Sequence, residues 1–214
     1  MKKVIASFLL AVLLPFAANA ANYVEGKQYT KVSDQLSKKP EVREYFSFYC
    51  PHCLRFEPFF ANVKKNLPEG VNFERNHVDF LRFTTPEIQF MVTKALATAQ
   101  QLKVEDKIAA AIFNYIQVQR GAITEVKDLR NIFVLNGVDG AAFDKAFKSF
   151  AVNSKAKIMK KYQDNLVKKR ALTGVPSVVV NGKYRINTDK LDRDNFEQDY
   201  INLVKYLTEL DKAS

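Results

Sequence analysis

The two cysteines of the chain stand two residues apart in Phe48-Tyr49-Cys50-Pro51-His52-Cys53-Leu54-Arg55-Phe56, with an imidazole between them. Thiols so placed could form a short structural disulfide, hold a metal, attach a haem or exchange disulfides. A structural bridge here would close too short a loop to restrain much of the unfolded chain. A zinc site normally needs four ligands, and beyond this stretch the chain offers no cysteine and a single histidine, His77. Haem attachment of the c type needs histidine directly after the second cysteine, where Leu54 stands. The context favours a redox-active dithiol.

The elements that must position it follow from the flanks. Val42 to Tyr49 is aromatic and β-branched enough for a buried strand, and Phe56, Phe59, Phe60 and Val63 recur at helical spacing. A strand therefore hands over to a helix, predicted from Pro51 to Asn66 with a kink at Pro58, and Pro51 suits a first helical position. Cys50 then sits at the helix N-terminus, where unpaired N–H groups and the macrodipole favour an anion such as a thiolate. The expectation is an exposed nucleophile at Cys50 and, one turn inside, a shielded leaving thiol at Cys53.

Outside this junction the pattern divides the chain. Gln28 to Val32 reads as a short strand, Leu67-Pro68-Glu69-Gly70 as a turn, and Val71 to Phe80 as a second long strand. From Thr84 the period becomes helical, starting at Thr84-x-x-Glu87 with Pro86 beside it. Helices are predicted over 86–102, 105–118, 125–136 and 140–149, then a longer basic one from Asn153 to Arg170. Five helices in a row between two β segments suit an insertion into an α/β domain. Ser177 to Val180 is a β-branched strand, Asn181-Gly182 signals a type I′ hairpin, and Lys183 to Ile186 is the return strand. An amphipathic helix from Asp194 to Leu210 closes the chain, with Phe196, Tyr200, Leu203, Val204 and Leu207 on one face.

Residues 1–20 read as a cleaved signal peptide. Lys2 and Lys3 precede an apolar run broken by Pro15, and Ala18-Asn19-Ala20 fits a small-x-small cleavage site. The run is too short for a transmembrane anchor, which takes about 20 apolar residues. Export implies an oxidising compartment, here the bacterial periplasm. The formal charge of +10 would suit nucleic acid. Export argues against that partner, and the basic residues are scattered among acidic ones, as on a solvated surface.

Cys50-Pro51-His52-Cys53, set within Phe46-Ser47-Phe48-Tyr49 and Phe56-Glu57, resembles the active site of the DsbA-type thiol:disulfide oxidoreductases of the thioredoxin superfamily. Leu67-Pro68-Glu69-Gly70, Val104-Glu105-Asp106-Lys107, Gly174-Val175-Pro176 and Val180-Asn181-Gly182-Lys183-Tyr184 carry the likeness along nearly the whole mature chain. The resemblance implies a thioredoxin-like α/β fold with an inserted all-helical domain. Residues 21–82 and 162–214 would form the thioredoxin-like part and 83–161 the insertion. It further implies a monomer that needs no cofactor or metal beyond its own Cys50–Cys53 disulfide. Its partners would be reduced exported proteins and a quinone-linked, DsbB-like membrane oxidase that restores the disulfide.

Individual residues carry two readings each. His52 is a solvated turn residue or, as the resemblance implies, a cation or donor that stabilises the thiolate. A Gly-Pro pair in its place, as in thioredoxin, supplies no such group, so disulfide donation is the favoured direction. Val175-Pro176 is an ordinary trans proline starting an edge strand or a cis bond beside the dithiol. The resemblance implies the cis form, with the Val175 backbone free to pair with an extended client by β-augmentation. Glu44 is a paired structural carboxylate or, by resemblance, a buried acid relaying a proton for Cys53, with Arg75 on the adjacent strand as its basic partner. Glu57 tunes the charge of the site or is simply solvated. Phe56, Phe60 and Phe196 belong to the core or line a shallow client groove. His77 is expected to be structural. Leu81-Arg82-Phe83 lacks glycines common at this junction of the family, and Asn187-Thr188-Asp189-Lys190 lacks a proline often found beside the groove. An isomerase or reductase of the same fold, or a chaperone-like binding module, is the alternative function.

Overall fold

In the computed structural model, which describes residues 23–210, the sheet is built outward from β2, Glu41–Phe46, which pairs with a strand on each side. The leader expected over 1–20 lies outside the described residues. β2 is buried over nearly its whole length and runs parallel to β3, Asn72–His77, on one side. On the other side lies antiparallel β4, Ser177–Val180, followed by β5, Tyr184–Ile186, and β1, Tyr29–Lys31. The sheet order is β1-β5-β4-β2-β3. The two β segments assemble into this one sheet although the helical stretch separates them in sequence.

β2 stops at Phe46, short of the predicted Tyr49, because Ser47 to Tyr49 turn the chain into α1, Pro51–Lys65. β3 is likewise shorter than predicted at both ends. α1 runs through Pro58, and α7, Phe196–Glu209, packs with it on one face of the sheet. Val42, Val178 and Val180 meet Phe60, Val63, Tyr200, Leu203 and Val204 there. Tyr45, Val78 and Val179 pack instead against Leu166, near the end of α6, Phe150–Lys168, and against Ala171 and Leu172 just beyond it. Side chains alternate across a strand, so Glu44 shares the α1 face with Val42.

The insertion holds α2, Pro86–Gln101, α3, Glu105–Phe113, α4, Val126–Leu135, and α5, Gly140–Lys148. Thr85, not Thr84, caps α2 by accepting the Ile88 N–H, since Pro86 occupies the first helical position. The single helix predicted over 105–118 is two: after Phe113 the coil widens into a π-helical turn at Asn114–Val118. α6 starts at Phe150 because the Ser149 hydroxyl caps it, three residues before the predicted Asn153, and it continues across residue 162 without interruption. Phe46, Phe48, Cys50 and Cys53 belong to the same apolar cluster as Leu96, Ile112, Phe113, Phe133 and Phe143. The dithiol is thus built where sheet and insertion share a core. Asn181 and Gly182 both take positive φ and are closed by the Lys183 N–H to Val180 C=O bond of 3.0 Å, as a type I′ turn requires.

Candidate active site

The four residues after β2 fix where the sulfurs lie. The Cys50 N–H donates to the Ser47 carbonyl at 3.0 Å, and the Ser47 hydroxyl accepts the Tyr49 N–H at 3.2 Å. Ser47 is tied in turn to His77 of β3, whose Nε2 lies 3.5 Å from Ser47 Oγ and whose Nδ1 lies 2.9 Å from Thr93 Oγ1 on α2. The Thr93 hydroxyl donates onward to the Gln89 carbonyl at 3.1 Å. Its oxygen therefore accepts from Nδ1–H, which leaves Nε2 to accept from Ser47. Burial, helped by the Arg75 charge, pushes the His77 pKa down to about 3, so the ring is neutral. Phe48 stacks on it at 5.2 Å between centroids. His77 is a structural post for the active-site turn.

Cys50 is the N-cap of α1, with extended backbone (φ −91°, ψ 114°), and its Sγ accepts the Cys53 N–H at 3.4 Å. The sulfur thus meets one of the unpaired donors that a helix start presents. The same sulfur lies 3.5 Å from the Val175 carbonyl oxygen. Cys50 is only 6% exposed, which corrects the expectation of an exposed nucleophile: the chain at Val175 lies against it. Cys53 is fully buried. Burial holds its thiol far above the ordinary range, and the Cys50 sulfur and the Glu44 charge push the same way. The Val175–Pro176 peptide bond is cis.

His52, at the solvent side of α1, accepts at Nδ1 from Arg55 Nη2 at 2.8 Å. A guanidinium cannot accept, so Nε2–H is the only donor the imidazole retains in this arrangement. Arg55, which sequence reasoning passed over, is therefore the permanent cation on this turn of α1.

Beneath the dithiol, Glu44 and Arg75 are register partners of β2 and β3. Arg75 Nε donates to Glu44 Oε2 at 2.9 Å, and its other nitrogens reach both oxygens of Glu57 on α1. Its guanidinium also lies 4.0 Å over the Phe46 ring. Glu44 is wholly buried, and its Oε1 has no hydrogen-bond partner. Burial raises its pKa to about 7 against the opposing pull of Arg75. Burial raises Glu57 as well. The three groups line a cavity of about 660 Å³ together with Phe60, Phe73 and Lys64.

A second cavity, about 530 Å³, opens beside the dithiol. Phe56, Phe60 and Phe196 line it with His52, Val175 and Pro176. Phe59 and Tyr200, each visible in a helical stripe but assigned no site role, complete the aromatic wall, their rings 4.9 Å apart and nearly perpendicular. Asn187, Thr188 and Asp189 form its rim, on a turn anchored by the Asn187 side-chain amide to the Lys27 carbonyl at 2.8 Å. The Leu81–Phe83 loop is pinned from α2 by Gln89 Nε2, which donates to the Leu81 and Thr84 carbonyls.

Set beside known proteins, residues 41–200 match the family model of the DSBA-like thioredoxin domain. The chain is 39% identical over 207 residues to the thiol:disulfide interchange protein DsbA of Escherichia coli K12, covering 94% of this chain and 96% of that protein. It is 40% identical over 205 residues to the protein of the same name from Pectobacterium carotovorum, covering 93% and 95%. Among solved structures, a Proteus mirabilis DsbA variant with a non-covalently bound peptide superposes with a TM-score of 0.77 at 35% identity, covering 88% of this chain and 99% of that one.

Proposed function

The chain belongs to the DSBA-like thioredoxin domain family and is a protein thiol:disulfide oxidoreductase, and on that premise we propose that it works as a disulfide donor to reduced exported proteins. The observation that carries the direction is the cap at Cys50. Its sulfur takes the place of a capping oxygen and receives the Cys53 N–H at 3.4 Å at the positive end of a helix of 15 residues. That environment favours the sulfur as an anion, the form it takes only when the disulfide is open. Reduction is therefore favourable, and the disulfide is readily given away.

In the cycle, a client thiolate attacks Cys50 Sγ, the more accessible of the two sulfurs. A client–Cys50 bond forms, the Cys50–Cys53 bond breaks, and the electron pair leaves on Cys53. The buried Cys53 sulfur takes a proton as it leaves, and Glu44 is the acid in position to exchange it with the cavity that it lines. A second client thiolate attacks the client sulfur of the mixed disulfide, forming the client disulfide and releasing the Cys50 thiolate. Two electrons have passed from client to enzyme. A DsbB-like, quinone-linked membrane oxidase takes them up again, and the protein needs no cofactor besides its own cysteine pair.

The cavity beside the dithiol supports a client role for Phe56, Phe60 and Phe196, since an apolar wall accepts varied side chains without reading sequence. The Val175 backbone, beside Cys50 and ahead of β4, is placed to pair with an extended client segment. His52 contributes its Nε2–H toward an approaching sulfur, and Glu57 holds Arg75 in place against Glu44. Export by the leader puts the reaction in the periplasm, and the chain acts as a monomer, its thioredoxin-like part split around the helical insertion.

Equilibration with glutathione tests the direction. The reduced protein should be favoured in buffers where cytosolic redoxins are oxidised, and it should melt at a higher temperature than the disulfide form. A couple as reducing as thioredoxin's, with the oxidised form the more stable, contradicts donation.

A further inference from the structure

We propose that Gln117, on the inserted helical segment, is a positioning residue of the dithiol: its side-chain amide sets the electrostatic surroundings of the Cys50 sulfur by bonding two carbonyls of the active-site turn. Gln117 Nε2 donates to the Phe48 carbonyl at 2.7 Å and to the Cys50 carbonyl at 3.1 Å. Both partners are pure acceptors, so the group between them is the NH₂ end of the amide. The Cys50 carbonyl also accepts the Leu54 N–H at 3.2 Å and is served without Gln117. The Phe48 carbonyl belongs to a fully buried residue in the turn, where β2 has already ended, and Gln117 is the donor that meets it.

The backbone around Gln117 is shaped for this reach. Residues 114–118 form a π-helical turn, a widened coil that is uncommon and concentrates at functional sites. The Gln119 N–H bonds the Asn114 carbonyl at 2.9 Å, and the Gly121 N–H bonds the Tyr115 carbonyl at 2.8 Å. Arg120 takes a left-handed φ of 57°, and a Cβ at Gly121 would lie 2.5 Å from the Tyr115 ring. The ring therefore packs directly on the glycine, and any side chain there must displace it. Gln117 lies within the wide turn and reaches the strand–helix junction from it.

The consequence differs between redox states. The carbonyl dipoles of Cys50 itself and of Phe48, two residues before it, act on a thiolate at Cys50, and the amide N–H groups that bond them offset part of that field. The Val175 carbonyl, 3.5 Å from the sulfur, is not bonded by Gln117 and is common to every variant. In the disulfide the sulfur bears no charge, and the same amide matters less. Loss of the donors should thus destabilise the dithiol more than the disulfide and make the couple less oxidising. One net hydrogen bond corresponds to a change of about three- to tenfold in an equilibrium constant.

The test is the exchange constant with glutathione, in which the protein disulfide plus two glutathione thiols gives the dithiol plus glutathione disulfide. It is measured for the full mature chain, for Gln117→Met, which keeps the length and loses the donors, and for Gln117→Glu. The expected constants fall in the order wild type, Gln117→Met, Gln117→Glu, with about three- to tenfold between the first two. Melting curves of both redox forms accompany each constant. If Gln117→Met fails to fold, Gly121→Ala gives the same readout by shifting Tyr115 and the wide turn. Equal constants in wild type and variants, with both redox forms destabilised alike, overturn the proposal and leave Gln117 a purely structural bond. The inference rests on the dithiol being redox-active, and the wild-type measurement tests that separately: absence of any exchange there refutes both.

Discussion

Glu44→Gln removes a single ionisable proton from the middle of the fold, and the structure sets its effect on stability. Burial raises the Glu44 carboxyl from 4.5 to about 7 even with Arg75 at 2.9 Å. The folded protein therefore holds this proton more tightly than the unfolded chain does. The stability it contributes is fully present below pH 4.5 and is lost as pH rises through about 7. A shift from 4.5 to about 7 corresponds to about 3 kcal/mol across that window, and Glu44 is wholly buried, so solvent screening removes little of it. His77 works the other way. Its pKa is pushed down from 6.5 to about 3, so its contribution grows as pH rises from about 3 to 6.5. The two slopes oppose each other over most of the range, and the wild-type profile alone isolates neither. The difference between Glu44→Gln and wild type does, because His77 is common to both. The carboxamide that replaces the Glu44 carboxyl can still accept from Arg75, which also keeps Glu57. Urea unfolding at pH 4 and pH 8 should show the variant gaining about 3 kcal/mol relative to wild type at the higher pH. A difference that stays constant from pH 4 to 8 would mean that the Arg75 attraction has cancelled the cost of burial, and the proton-relay role argued for Glu44 would lose its basis.

Two further outcomes follow from the geometry. His77→Leu strips the Ser47 and Thr93 hydroxyls of a buried partner and should cost about 1–3 kcal/mol in chemical denaturation; unchanged stability would remove His77 as the post of the active-site turn. Phe196→Ala opens the aromatic wall of the cavity beside the dithiol and should lower kcat/KM for a peptide dithiol about tenfold, with the glutathione constant unchanged. Equal kcat/KM for variant and wild type would show that clients do not use that wall.

The parts of this protein that sequence made legible are those whose physics is local. Cys50-Pro51-His52-Cys53 announces a capped helix start because proline, spacing and flanking apolar periods all act within a few residues. The Asn181-Gly182 turn is read the same way, from two residues that tolerate positive φ. Glu44 was conspicuous as a charge in an apolar strand, and strand adjacency pointed to Arg75. Gln117 carried no such mark. It is an ordinary polar residue in a segment of helical period, and what distinguishes it is a widened coil turn and a reach of 69 residues back to Phe48. The Ser47–His77–Thr93 chain was hidden for the same reason, since no member stands out until sheet and insertion are folded together. The exposure expected of Cys50 failed on a third long-range fact, the Val175 backbone lying against it. All three are backbone or polar groups brought in from distant sequence to the four residues between β2 and α1. Those residues have left the sheet ladder and have not yet joined the helix, so a group that local bonds do not reach, such as the Phe48 carbonyl, depends on a remote partner. Such a turn specifies its own location in the sequence but borrows its geometry from the rest of the chain, and that is where positioning residues of this kind are to be sought.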